Sequence, residues 1–218
     1  APLAEVPLNF LDEDEMSSLL RRLYRQRDPE GVLLPYIALG LLPDASVSIQ
    51  VGRTAGVYVP EEGQLYVVTN PSEISAEDRV LILAHVYAHA LQDQHFDLEA
   101  AETLARSTDA ELAVMALIEG DGMLMTALYR YGDLAAVDWT HLESLIFQAQ
   151  LPGYGEELDG SEAWARLQRF PYREGRAFAA ALFEAGGWEG INRAYANLPR
   201  STEQVLHPER YLAEEPDI

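Results

Sequence analysis

The sequence predicts an α+β domain, mostly helical, with one small β-sheet beside a central helix. Three observations predict it. Apolar residues recur at helical spacing along most of the 218 residues. Only Ser46 to Thr69 carries β-branched and aromatic residues grouped around turn residues. Two stretches, Leu81 to Leu98 and Leu112 to Met125, are so apolar that they belong in a core. The length suits a single domain over residues 1–218. Residues 1–150 would hold the sheet and the central helices, and residues 151–218 a helical subdomain.

Ala1 to Asn9 is punctuated by proline and is expected to be extended. From Asp12 to Arg27 an amphipathic helix is predicted, with Met16, Leu19, Leu20 and Leu23 as its apolar stripe. Acidic residues Asp12 to Glu15 crowd its start and Arg21, Arg22, Arg25 and Arg27 its end, as the helix dipole favours. A short helical piece is expected from Glu30 to Leu41, broken by Pro43. Val47, Ile49 and Val51 then alternate with polar residues. Gly56 to Val59 and Leu65 to Val68 flank Pro60-Glu61-Glu62-Gly63, which reads as a hairpin. Ser75 and Asp78 resemble a capping box at the head of a long apolar helix ending near His95. Further helices are expected from Asp109 to Tyr131 and from Trp139 to Gln150. Leu151 to Gly160, with three glycines and one proline, is the best linker candidate. Helices near Ser161 to Arg169, Tyr172 to Ala185 and Trp188 to Leu198 follow, separated by Pro171 and by Gly186-Gly187. The last twenty residues read as loop.

Thirty-six acidic residues stand against fifteen basic ones, all of them Arg, for a formal net charge of -21. That balance argues against nucleic acid or anionic membrane as a partner, since both need basic patches. There is no cysteine, so a metal would have to be held by His and carboxylate groups. The apolar run Val32 to Leu42 is interrupted by Pro35 and Gly40 and is far short of the ~20 residues of a membrane span, so no span is expected. The chain starts at Ala1 without Met, which leaves an extracytoplasmic location open as an expectation, with a removed signal or anchor segment ahead of it.

The informative residues are His85 and His89. Four residues apart on a helix, they sit about 40° apart around the axis, so both imidazoles can reach one point. This is the spacing of the zinc-peptidase H-E-x-x-H helix, in which the Glu after the first His takes a proton from the attacking water. Here that position is Val86. Two histidines need a third ligand. His95 has the spacing of the longer motif with a third His, but Gln92 replaces the glycine that turns the chain there. On an unbroken helix His95 points about 240° away from His89. Glu119 is the better candidate, since a carboxylate inside so apolar a run needs a counter-charge, and a dication shared with two histidines would supply it. The neighbouring Gly120 and Gly122 would let another helix approach closely. Two alternatives stay open: Glu119 to Gly122 as a hydrated break between helices, and His85 and His89 as ordinary core histidines.

The run from Leu83 to Phe96 resembles the active-site helix of small gluzincin-type zinc metallopeptidases. Ala116 to Asp121 resembles their downstream helix carrying the Glu ligand. Ala55 to Tyr58 with Leu65 to Val68 is similar to the strand pair bordering their substrate cleft. The resemblance implies a minimal zincin-like fold, with His85, His89 and Glu119 as zinc ligands and Val86 in place of the catalytic Glu. Tyr58, Tyr66, Asp121 and Tyr172 would line the groove.

Valine has no lone pair, and general-base proton transfer contributes roughly 10²–10⁴-fold. The expectation is a degenerate, non-proteolytic metallopeptidase relative that keeps its cleft for a peptide or protein segment, with the Leu65 to Thr69 edge open to strand addition. One rival is an active metal-dependent hydrolase with a base from elsewhere. Glu61, Glu62, Asp121 and His207 are the candidates, and only His207 has a near-neutral unperturbed pKa. The other rival is a metal-free helical structural or interaction domain.

Overall fold

The structure is a computed structural model that describes residues 2–27, 54–150 and 162–213. The expected helix over Glu30 to Leu41, the alternating run Val47 to Val51 and the linker Leu151 to Gly160 lie outside the described residues.

The fold is mostly helical with a small mixed sheet, as expected for an α+β chain. Strand β1 (Leu8–Leu11) leads into helix α1 (Glu13–Arg27), and strands β2 (Gly56–Val59) and β3 (Gln64–Val68) form the expected hairpin. Its turn closes at Gly63, whose φ of 63° is left-handed and suits glycine. The strand order is β1-β3-β2, with β1 parallel to β3 (Leu8 opposite Leu65, Leu11 opposite Val68) and β2 antiparallel to it.

This order corrects one expectation. The Leu65 to Thr69 edge is not free, because β3 is the central strand and β1 occupies the edge expected to take a peptide. The pattern of β1 could not announce it. Leu8 and Phe10 stay 48% and 64% exposed, so pairing with β3, rather than burial of alternate side chains, makes Leu-Asn-Phe-Leu a strand.

Beyond the hairpin runs α2 (Ala76–Phe96), whose cap Ser75 accepts from the Asp78 amide at 3.1 Å. Asp97, at a φ of 53°, ends α2 and also caps α3 (Leu98–Leu104) through its side chain, a short helix absent from the sequence expectation. Helix α4 (Thr108–Tyr131) follows, then α5 (Trp139–Gln150). By length and composition α4 would pass for a membrane span, but 67% of its most apolar window is buried inside the fold.

The C-terminal part departs most from expectation. Helix α6 (Glu162–Ala196) runs through Pro171, where a break was expected, but it is kinked at Gly187 (φ 59°, ψ -153°), where the expected Gly186-Gly187 break does occur. A proline inside a helix costs about 3 kcal/mol. The stretch that runs through Pro171 buries Tyr172, Phe178 and Leu182, and at about 1.5–3 kcal/mol for a large apolar side chain this packing outweighs the missing bond. The tail is not a loop either. It forms α7 (Thr202–Leu206), capped by Ser201, and α8 (Pro208–Leu212), with Val205 buried against the α4–α6 core.

Two apolar cores meet along α4. One joins Leu65, Val67, Ile82, Val86, Met123 and Ile146 between the sheet, α2, α4 and α5. The other joins Ala113, Leu117, Leu124, Phe178 and Leu182 between α4 and α6. Helices α4 and α6 touch backbone to backbone. A Cβ added to Gly120 would lie 2.1 Å from the Gly175 carbonyl oxygen, and one added to Gly175 would lie 2.2 Å from that of Ala116. We expect Gly120→Ala to destabilise the protein by about 1–3 kcal/mol, the usual cost of overpacking, as a lower urea midpoint. An unchanged midpoint would contradict this close crossing.

Candidate metal centre

Helix α2 continues unbroken to Phe96, so His85 and His89 share a face and His95 lies exposed on another side. Glu119 comes from the middle of α4. His85 Nε2 lies 3.0 Å from Glu119 Oε2 and 3.1 Å from His89 Nε2, and His89 Nε2 lies 3.5 Å from the same carboxylate oxygen. Metal–ligand bonds of about 2.0–2.1 Å in a tetrahedral site put neighbouring donor atoms about 3.3 Å apart. The three donor atoms therefore sit at the spacing a bound ion requires, and this is the one His/Asp/Glu group among the described residues close enough to hold one. Gly122 makes the approach possible: a Cβ there would stand 3.0 Å from His85 Cε1 and 3.3 Å from His89 Cε1.

The outer nitrogens of the two rings settle where their protons lie. His89 Nδ1 faces the Gln92 side-chain oxygen at 2.8 Å, so it carries the hydrogen and Nε2 keeps its lone pair. The Thr126 hydroxyl donates to the Gly122 carbonyl at 2.7 Å, so the oxygen it turns towards His85 Nδ1, 3.5 Å away, is an acceptor. Both Nε2 lone pairs then point at each other and at a carboxylate. Three acceptors converge, and only a proton or a cation can hold them together.

The charges follow. Burial lowers the His85 pKa, and charge on His89 lowers it further. Burial also pulls His89 down, but the charge and hydrogen bond of Glu119 outweigh it and leave this ring raised. Burial would raise Glu119, yet the His89 charge and bonds from both rings hold it well below the usual carboxylate range. Without a metal, the raised His89 ring carries the proton beside an ionised Glu119 and takes the place of the cation.

Tyr172, expected in the groove, reaches the site: it is buried, and its hydroxyl donates to Glu119 Oε1 at 3.3 Å. The other expected groove residues lie elsewhere. Asp121 is 3% exposed and sits behind the site, its Oδ2 accepting from Gln92 Nε2 at 2.8 Å and from the Tyr195 hydroxyl at 2.9 Å. Burial pushes its carboxyl up, and Oδ1 has no hydrogen-bond partner among the described residues. Tyr58 donates to Asp93 at 2.7 Å, and Tyr66 packs on the α1 face of the sheet with its hydroxyl on Glu62. None of the remote base candidates supplies an atom to the triad. His207 is half-exposed and pairs with Glu209 at 3.4 Å, Glu62 pairs with Arg22 at 2.7 Å, and Glu61 is exposed on the hairpin.

Val86 is 0% exposed and packs in the main core with Ala55, Tyr58, Leu65, Val67 and Met123. The position that carries a base in H-E-x-x-H helices is therefore part of a sealed wall. Sequence reasoning missed Gln92, Thr126 and Tyr195. Gln92 alone left a signal, since position i+3 from His89 lies on the same helix face.

No known protein family, curated protein or solved structure matches the chain. The site stands on its geometry.

Metal uptake must displace the proton held at His89. Because the His89 pKa is raised, proton competition should persist above the ordinary histidine range near ~6.5. Metal affinity should therefore rise with pH through that raised value and level off beyond it, as read by chelator competition at several pH values. A flat profile across the histidine range would contradict the assignment of the proton.

Proposed function

We propose that this is a zincin-like zinc-binding protein that does not hydrolyse peptides. The observation that carries the reading is the convergence of three acceptor atoms on one point, beside a position where a buried valine replaces the proton acceptor. His85, His89 and Glu119 fit a zinc ion as a His₂Glu donor set of the kind seen in metallopeptidases. Zinc bound there would supply Lewis-acid polarisation of an oxygen ligand. The chain's own residues do the rest. Glu119 gives one carboxylate oxygen to the site, and Tyr172 holds the other. The Val86 side chain has no atom that accepts a proton, and the core packed against it leaves no room for an ordered water.

The partner class we propose is a peptide or protein segment. What supports access to the site is that the His89 and Glu119 side chains remain 12% and 16% exposed while His85 is sealed at 0%.

Two measurements test the reading. Protein purified without chelators should carry close to one zinc per chain, and His89→Ala should lose most of it; zinc far below one equivalent in the wild type would end the proposal. With zinc added, long incubation with a peptide library should give no cleavage above buffer, and turnover would overturn the non-proteolytic reading. Val86→Glu should cost several kcal/mol of stability in the zinc-free protein, because it places a carboxylate in an apolar core. Thermal unfolding would register this as a large fall in Tm.

A further inference from the structure

Behind the site lies a polar chain that the zinc-binding reading does not use. Gln92 is 2% exposed, and its amide is fixed by two acceptors: Nε2 donates to the Ile118 carbonyl at 2.9 Å and to Asp121 Oδ2 at 2.8 Å. The amide cannot turn over without placing its oxygen against both acceptors, so Oε1 must face His89 Nδ1. Asp121 Oδ2 also accepts the Tyr195 hydroxyl, and the Tyr195 ring stacks on Phe96 with centroids 3.9 Å apart and planes 2° apart. Phe96 is the last residue of α2, the helix that carries His89. The chain of contacts therefore leaves α2 at Gln92, crosses α4 at Asp121 and α6 at Tyr195, and returns to α2.

We propose that Gln92, Asp121 and Tyr195 are positioning residues that lock the His89 imidazole in the Nδ1–H form, with Nε2 presented to the metal, and so set the affinity of the site. The inference rests on the zinc-binding reading for its affinity half only. A hydrogen bond to the outer nitrogen of a ligating histidine fixes ring orientation and raises basicity, and losing such a partner costs about 10–100-fold in metal affinity. The closed path through three helices explains why a glutamine, an aspartate and a tyrosine are held together in an otherwise apolar interior. Each satisfies the next, and the end of the line is His89.

The experiment has two arms. In the metal-free full-length protein, at alkaline pH where the ring is neutral, ¹⁵N NMR of the imidazoles should report His89 protonated at Nδ1. Gln92→Met, which keeps the length and removes the polar groups, should turn the ring into a mixture of tautomers. A wild-type ring protonated at Nε2 would overturn the proposal whatever the metal result. In the second arm, zinc and cobalt affinities should fall about 10–100-fold in Gln92→Met. They should fall several-fold in Tyr195→Phe, which keeps the stack on Phe96, and the cobalt visible spectrum should be displaced in both. Unchanged affinity and spectrum in both variants would refute the positioning role while leaving the zinc reading intact. A wild type that takes up neither ion would defeat the zinc reading and the affinity half, with the tautomer half still decided by NMR. Should Gln92→Met not fold, Tyr195→Phe and the wild-type tautomer still decide the question.

Discussion

The structure depends on one constraint: two imidazole lone pairs and a carboxylate oxygen are forced towards the same point by helices that cannot move apart. α2 supplies the rings through four-residue spacing. α4 supplies the carboxylate, and Gly122 leaves room for both rings, since a Cβ there would crowd them at 3.0–3.3 Å. Such an arrangement is repulsive unless something positive lies within it. The apolar packing on both sides holds these groups together, and the proton on the raised His89 ring, or a cation in its place, supplies the positive charge between them.

The packing that holds these groups together is organised by α4. One of its faces meets the sheet, α2 and α5, and another meets α6 and α7. Gly120 brings α6 to contact distance, which also places Tyr172 against the outer carboxylate oxygen and Tyr195 against Asp121. The C-terminal helices thus belong to the same interior as the histidine helix, and the aromatic hydroxyls that reach the site come from residues far downstream in sequence.

The triad was legible in the sequence because its signals are local: a helical spacing for the rings, and a charged residue inside an apolar run for the ligand. The unbroken course of α2 past Gln92 was legible too, and it removes His95 from the site. What could not be read depends on tertiary partners. Pro171 carries a strong local breaking signal, overridden by the aromatic and aliphatic side chains that the continuous helix buries. Asp121 looked like a groove residue because its neighbours in sequence are ligand and glycine, but the helix turns it towards Gln92 and Tyr195. Nothing near Tyr195 in the chain hints at a partner seventy-four positions away. That position 86 offers no proton acceptor was legible, whereas its complete enclosure was not.

The parallel pairing of β1 with β3 has a consequence of its own. The central strand would otherwise present a row of unpaired amides and carbonyls beside the histidine helix, and the chain fills that row with its own first residues. Any strand joining β3 on that side would have to displace a segment tethered to the same molecule, whose local concentration no free peptide readily matches. Strand β1 is in this sense a resident competitor for that side of the central strand, and trimming it away would leave that side of β3 unpaired.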